Sequence, residues 1–308
     1  MSEPLYDVVI IGAGPAGLTA GLYASRAGLK SLMVERMIVG GQMMTTTKVE
    51  NYPGFPGGID GPELMQRFQE HCMEYGLESR IGEVTNLVDE GKTKLLTIDE
   101  EALRTRSVII ASGAEPSKLG LPREEELTGR GVSYCATCDG AFFRNVEVAV
   151  IGGGDTAAEE ALFLSRFASK VYLIHRRDQL RATRILQDRL NANEKVEILW
   201  NKVIDTIEGD KTGLTGVKLK DTKNGVICNL PLAGMFVAIG VVPKAEFLTG
   251  VLTLDADGYI KAGEDCLTSM PGVFAAGDVR KKILKQVATA VGDGAVAAIM
   301  VEKYLDGI

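Results

Sequence analysis

Two glycine turns, each set between an apolar strand and an alanine-rich helix, constrain this chain more than any other feature. The first follows Asp7-Val8-Val9-Ile10-Ile11 and reads Gly12-Ala-Gly14-Pro15-Ala16-Gly17. It runs into a helical stretch through Arg26 and a second apolar segment, Leu32-Met33-Val34, that ends at Glu35. The second follows the apolar residues 146–151 and reads Gly152-Gly-Gly154-Asp155-Thr156-Ala157. A helical stretch to Phe167 and residues 171–174 follow, ending at His175. Both read as strand, glycine turn, helix, strand, the βαβ dinucleotide unit. The first glycine permits the tight turn, the second lets a pyrophosphate approach the backbone, and the third position must be small for helix–strand contact. The helix N-terminus then offers amide donors to the phosphates. One such turn is weak evidence, but two in matching context are strong. The expected fold is α/β, with two Rossmann-like dinucleotide-binding domains.

The residue closing the second strand of each unit distinguishes the nucleotides. Glu35 lies eighteen positions after Gly17. A carboxylate there accepts hydrogen bonds from ribose hydroxyls and repels a 2′-phosphate, which suits FAD or NAD. Eighteen positions after Ala157 stands His175, followed by Arg176 and Arg177, with Arg181 beyond. Cationic forks at that place suit a 2′-phosphate, hence NADPH. The plainer alternative is a solvated basic patch. Near the C-terminus, Ala-Ala-Gly277-Asp278 puts an acid at the end of an apolar run. There it either accepts a hydrogen bond from a flavin ribityl chain or caps a turn. With the first glycine unit it supports FAD.

Residues 108–113 and 235–240 are apolar runs that end in glycine, with Pro116 and Pro243 close behind. They read as two crossings between domains. The expected order is an FAD domain over 1–114, an inserted NADPH domain over 115–243, and the rest of the FAD domain over 244–308, closing with a helix around 286–305.

Five cysteines make an odd, sparse set, unlike a secreted disulfide scaffold. Only Cys135-Ala-Thr-Cys138 forms a close pair, followed by Asp139 and Gly140. Such a turn lets two sulfurs bond and separate with little backbone movement. A zinc site needs two further ligands, and the only histidines are His71 and His175. Asp139 either moves a proton as the thiols interconvert or caps the following turn.

The 308 residues suffice for two domains. A formal net charge of -7 argues against nucleic acid or an anionic membrane as partner. Residues 8–25 carry no charge, but acidic Glu3 and Asp7 precede them and glycines and a proline interrupt them. That pattern is neither a secretory leader nor a membrane span, and a soluble cytoplasmic protein is expected.

The motifs GAGPAG, GGQ at 40–42, TTT at 45–47, ENYPGFP at 50–56, CATCDG, GGGDTAAEEA, HRRDQLRA and AAGDV occur in this order. In that set the chain resembles the low-molecular-weight thioredoxin reductases over essentially its whole length. The resemblance implies a homodimer that passes electrons from NADPH to FAD, to a Cys135–Cys138 disulfide, and to a thioredoxin or thioredoxin-like protein. It implies FAD contacts at Gly12, Gly14, Pro15, Ala16, Gly17, Glu35, Arg36, Gly41, Gln42, Asn51, the main chain at Val84, Gly113, Gly277, Asp278, Lys285, Gln286 and Val287. Where Lys285 stands the family usually has arginine, so one planar fork becomes a point charge. NADPH is expected on Gly152, Gly154, Asp155, Thr156, His175, Arg176, Arg177 and Arg181. Cys138 is expected to face the flavin and attack the partner disulfide, with Cys135 resolving. A ferredoxin or flavodoxin reductase of similar fold would lack the CxxC pair. A flavin-binding redox sensor without turnover is a reading of another class, and the basic cluster at 176–181 argues against it.

Overall fold

Val8, Val9 and Ile10 are fully buried although their side chains alternate in direction, as a central parallel strand requires. They belong to β1 (Tyr6–Ile11), which leads through the first glycine turn to α1 (Pro15–Arg26) and β2 (Ser31–Glu35). Pro15 sits in the first turn of α1, where its missing N–H costs nothing. The chain continues through α2 (Gly61–Glu74), β3 (Glu78–Ile81), β4 (Val84–Asp89), β5 (Lys94–Ile98) and β6 (Glu101–Ile110). Strands β3, β2, β1 and β6 pair in that order, all parallel. β5 and β4 extend the sheet as an antiparallel meander on the first half of β6. The computed structural model describes residues 5–46, 49 and 51–307. Thr47 and Glu50 of the quoted motifs, and Glu3 of the amino-terminal reading, lie outside the described residues.

A short β7 (Ala114–Pro116) opens the second stretch, followed by β8 (Val132–Ser133), α3 (Ala136–Asp139), β9 (Glu147–Gly152), α4 (Asp155–Leu164), β10 (Lys170–His175), α5 (Arg184–Asn191) and β11 (Val196–Trp200). Then come β12 (Lys202–Gly209), β13 (Leu214–Asp221), β14 (Ile227–Pro231) and β15 (Gly234–Ala238). A wholly parallel sheet runs β11-β10-β9-β15-β8, while β12, β13 and β14 form a separate antiparallel sheet. The period of two is visible in the packing: Val148 and Val150 of β9 enter one core, Ala149 and Ile151 the other. Helix α4 ends three residues short of Phe167. The Arg166 and Phe167 amides instead close tight turns onto Phe163 and Leu164.

The chain returns through β16 (Val241–Pro243) to β17 (Val273–Ala275), which lies parallel beside β6, and to α6 (Val287–Asp306). Helices α6 and α1 pack closely: a Cβ at Gly294 would sit 2.3 Å from the Ala16 carbonyl oxygen. The expected strands over 108–113 and 235–240 stop at Ile110 and Ala238, and the crossings run on as β7 and β16, paired as a two-stranded sheet. The chain divides into one unit of Met1–Glu115 and Val242–Ile308 and another of Pro116–Val241. Within the second unit the Ser117 amide donates to the Gly240 carbonyl at 2.9 Å, and within the first the Lys244 amide donates to the Gly113 carbonyl at 3.0 Å. Among the described residues, no helix is long and apolar enough to cross a membrane.

Candidate cofactor and disulfide sites

Gly12 has φ of 104°, and a Cβ there would lie 2.4 Å from the Ala111 carbonyl oxygen, so the first turn admits only glycine. At Gly17 a Cβ would meet the Gly12 carbonyl oxygen at 1.8 Å, which holds α1 close to the strand. Gly14 differs: a Cβ there would meet nothing within 4 Å. That open cradle at the start of α1 has room for a pyrophosphate against the amides. The Ala13 amide donates to Glu35 Oε2 at 2.9 Å and the Met37 amide to Oε1 at 3.1 Å. Each oxygen keeps a further lone pair for a ribose hydroxyl. Gly41, at φ 57°, would place a Cβ within 3.4 Å of the Gly14 Cα, and the exposed Gln42 follows it in the turn Gly41–Thr45. Arg36 is half exposed and pairs with Glu83 at 3.6 Å and Glu115 at 4.0 Å.

Residues distant in sequence meet in the same unit. Asn51 Nδ2 donates to Gln286 Oε1 at 2.9 Å, and Gln286 forms a capping box with Thr289 ahead of Val287, the first residue of α6. The Gly277 amide donates to Asp293 Oδ2 at 2.9 Å, and a Cβ at Gly277 would press on Ala16 Cβ at 2.8 Å. Asp278 Oδ1 is buried with no hydrogen-bond partner among the described residues, an acceptor waiting for a donor. Burial raises the Asp278 carboxyl, opposed by Lys285 and Lys282. Lys285 donates to the Asp278 carbonyl at 3.0 Å and lies 3.9 Å above the Tyr259 ring, so this point charge is engaged locally. Val84 opens β4 with its side chain buried, and Gly113 takes φ of 73° in open space. The orphaned Asp278 oxygen and the cradle at Gly14 fit an ADP-bearing flavin.

The second turn repeats the arrangement with one change. At Gly152 a Cβ would lie 2.6 Å from Ala157 Cβ, while Gly154 again has open space. His175 is buried, and both ring nitrogens face carbonyl oxygens, Gly152 and Gln179, at 2.9 Å each. The buried ring thus faces the loop on both sides. The loop after it is tied back to the turn: the Arg181 amide donates to the Gly153 carbonyl at 2.7 Å, and the Thr183 amide to Asp155 Oδ1 at 2.6 Å. Arg176, Arg177 and Arg181 are exposed and make no side-chain ion pair among the described residues. Thr156 is exposed in the first turn of α4. Three free guanidinium groups beside an open glycine cradle fit a 2′-phosphorylated dinucleotide.

Cys135 and Cys138 form a disulfide across 5.3 Å between Cα atoms. Cys135 caps α3, a single turn whose Cys138 and Asp139 amides both bond to the Cys135 carbonyl, at 3.2 and 3.1 Å. Ser133 Oγ donates to Asp139 Oδ2 at 2.7 Å and accepts from the Cys135 amide at 3.1 Å, binding the acid to the disulfide turn. Burial lifts the Asp139 carboxyl above the usual carboxylate range, with Ser133 pulling the other way. Asp139 is thus a half-buried acid joined to Cys135 through the Ser133 hydroxyl, which suits proton exchange with thiols.

Sequence reasoning passed over Gly153, Asp293 and Glu160. A Cβ at Gly153 would fall 2.2 Å from the His175 ring. Asp293 receives the Gly277 amide and pairs with Lys282 at 2.9 Å. Glu160 lies on α4 with Ala157, Ala161 and Leu164, all fully buried. That helical spacing was readable and marks the second acid of GGGDTAAEEA after Asp155, not the first, as the one turned inward.

The sequence profile of the pyridine nucleotide-disulphide oxidoreductase family matches residues 6–294. The thioredoxin reductase of Listeria monocytogenes serovar 1/2a is 49% identical over 304 residues, covering 99% of this chain and 95% of that protein. That of Bacillus subtilis is 48% identical over 304 residues, covering 99% and 96%. The crystal structure of thioredoxin reductase from Streptococcus pyogenes superposes with a TM-score of 0.94 at 44% identity, covering 100% of both chains. The redox pair, the two glycine cradles and this likeness along the full length converge: the chain belongs to the pyridine nucleotide-disulphide oxidoreductase family, among the thioredoxin reductases.

Proposed function

We propose that this chain is an NADPH-dependent reductase of the disulfide in thioredoxin or a thioredoxin-like protein, working as a cytoplasmic homodimer. The observation that carries the reading is the Cys135–Cys138 disulfide, held in the same unit as the open Gly154 cradle and the three free arginines. FAD is assigned to the unit of the first glycine turn. There Gly12, Gly14, Pro15, Ala16 and Gly17 form the phosphate cradle, and Glu35 takes the adenosine ribose. Arg36, Gly41, Gln42, Asn51, Val84, Gly113, Gly277, Asp278, Lys285, Gln286 and Val287 complete it. NADPH is assigned to Gly152, Gly154, Asp155, Thr156, Arg176, Arg177 and Arg181, with His175 shaping the loop from beneath. Bound FAD supplies a two-electron relay between NADPH and the disulfide.

The protein's own part is thiol chemistry and proton control. In the reduced pair, the Cys138 thiolate attacks one sulfur of the partner's disulfide, forming a mixed disulfide and releasing the other sulfur as a thiolate. Cys135 then attacks Cys138, restoring the intramolecular bond and releasing the partner as a dithiol. Asp139, whose carboxyl burial favours in the protonated form, gives a proton to the leaving thiolate and regains one from Cys135. Its hydrogen bond from Ser133 keeps it beside the turn throughout. The assay is loss of NADPH absorbance with a thioredoxin as substrate, on protein purified without added flavin. Yellow protein with thioredoxin-dependent turnover is expected. Colourless protein that stays inactive after FAD is supplied would sink the reading.

A further inference from the structure

Beneath the disulfide turn lies a carboxyl to which the chemistry above gives no task. Glu160 Oε1 accepts the Ala136 amide at 3.4 Å, the amide directly after Cys135. Its other oxygen, Oε2, is buried with no hydrogen-bond partner among the described residues. The contact between α3 and α4 leaves no slack. Ala136 is fully buried, and a Cβ at Gly140 would come within 3.0 Å of Leu164 and 3.1 Å of Phe163. We infer that Glu160 is a positioning residue for the redox pair: it holds the backbone after Cys135, and its charge sets how readily the reduced pair carries a thiolate. The inference rests on the disulfide-reductase reading and deepens it.

Among the described residues, no cation on the neighbouring elements pairs with that carboxyl. On α3, Asp139 is bonded to Ser133. On α4 itself, Asp155 takes the Thr183 amide and Glu159 is exposed. Glu147 of β9 accepts from Tyr172, Lys170 of β10 pairs with Glu197, and the ring nitrogens of His175 face the Gly152 and Gln179 carbonyls. On α5, Arg184 pairs with Asp188 and Arg189 is exposed. β15 and the turn Gly140–Phe142 carry no charged side chain. Burial lifts the Glu160 carboxyl to about 7, with the Ala136 amide pulling it down. Below that pH the group is neutral and leaves the thiols alone. Above it, a carboxylate bonded to the amide that follows Cys135 opposes a thiolate at the pair, because like charges disfavour each other's ionised form.

The test is the alkylation rate of the Cys135–Cys138 pair in holoenzyme reduced with a phosphine. The rate is followed by mass spectrometry from about pH 5.5 to 9.5, with the exposed Cys228 as internal reference. The quantity of interest is the ratio of Glu160→Gln to wild type at each pH. It should stay close to one below about pH 6 and rise to roughly three- to tenfold near pH 8, the size of a shift of up to one unit in the thiol pKa. Glu160→Ala should give the same pH-dependent ratio and serves if the Gln variant does not fold. A ratio of one throughout, or one constant across the pH range, overturns the inference and leaves Glu160 a packing residue. No step of this measurement requires turnover, so failure to reduce thioredoxin bears on the functional reading alone.

Discussion

Gly153 lies directly beneath the His175 imidazole, so close that a Cβ at 153 would stand 2.2 Å from two ring atoms. The ring has little room to step aside, since it is buried and each nitrogen lies 2.9 Å from a carbonyl oxygen, of Gly152 on one side and Gln179 on the other. Gly153→Ala should therefore destabilise the inserted unit by ~1–3 kcal/mol, the usual cost of overpacking. It should also displace the Arg181 loop tied to the Gly153 carbonyl. Urea unfolding and NADPH titration check both, and an Ala variant with unchanged NADPH affinity would show that the loop does not depend on this contact.

Replacing Arg176 and Arg177 with glutamine should raise the KM for NADPH and leave that for NADH nearly unchanged. A hydrogen bond to a charged group contributes ~1.5–3 kcal/mol, so each one removed should weaken binding roughly tenfold or more. Both guanidinium groups are exposed, so folding should not suffer. An equal rise in KM for the two nucleotides would place the arginines outside the 2′-phosphate site.

Cys138→Ser should abolish thioredoxin reduction while NADPH still bleaches the flavin absorbance, because hydride transfer precedes the dithiol step. Asp139→Asn should slow thioredoxin turnover with less effect on bleaching. Stopped-flow spectra separate the two phases. Normal thioredoxin reduction by the Ser variant would remove the CxxC pair from the chemistry.

Glu160 also couples stability to pH. Its folded value of about 7 stands above the ordinary 4.5, so between those limits the folded chain keeps a proton that the unfolded chain has released. Stability from the neutral carboxyl is complete below about pH 4.5 and lost as pH rises through about 7. Relative to Glu160→Gln, wild type should become less stable by about 3 kcal/mol over that interval. Parallel stability-against-pH curves for the two proteins would show the carboxyl to be more hydrated than its burial implies.

The glycine-turn units were legible because each task of a nucleotide turn is local: β1 to Glu35 and β9 to His175 each span about thirty residues with strong apolar periodicity. The CxxC pair and its acid were legible for the same reason. Contacts between remote segments were not. The Asn51–Gln286 bond joins residues 235 positions apart, and neither side chain announces its partner. His175 was read as a phosphate ligand because its position matches Glu35, yet Gly153 lets it sink beneath the loop. β4 and β14 expose most of their side chains, so their patterns blur. Asp278 could be read as an acceptor, but only burial shows that one oxygen is left over.

The amide of Ser117 and the carbonyl of Gly240 bring the two ends of the inserted unit within one hydrogen bond of each other, and Gly113 and Lys244 do the same for the unit that receives it. To the receiving unit, the whole insert is a loop whose closure is already made, and loop length then adds little, ~0.6 kcal/mol per doubling. The insert is a cassette in the literal sense. A short turn in its place should leave the receiving sheet continuous, and the excised segment, its ends joined, should accept new termini at an exposed loop. On the proposed assignment of sites, grafting one cassette for another should exchange nucleotide preference and thiol chemistry together, without redesign of the sheet that carries the Gly14 cradle.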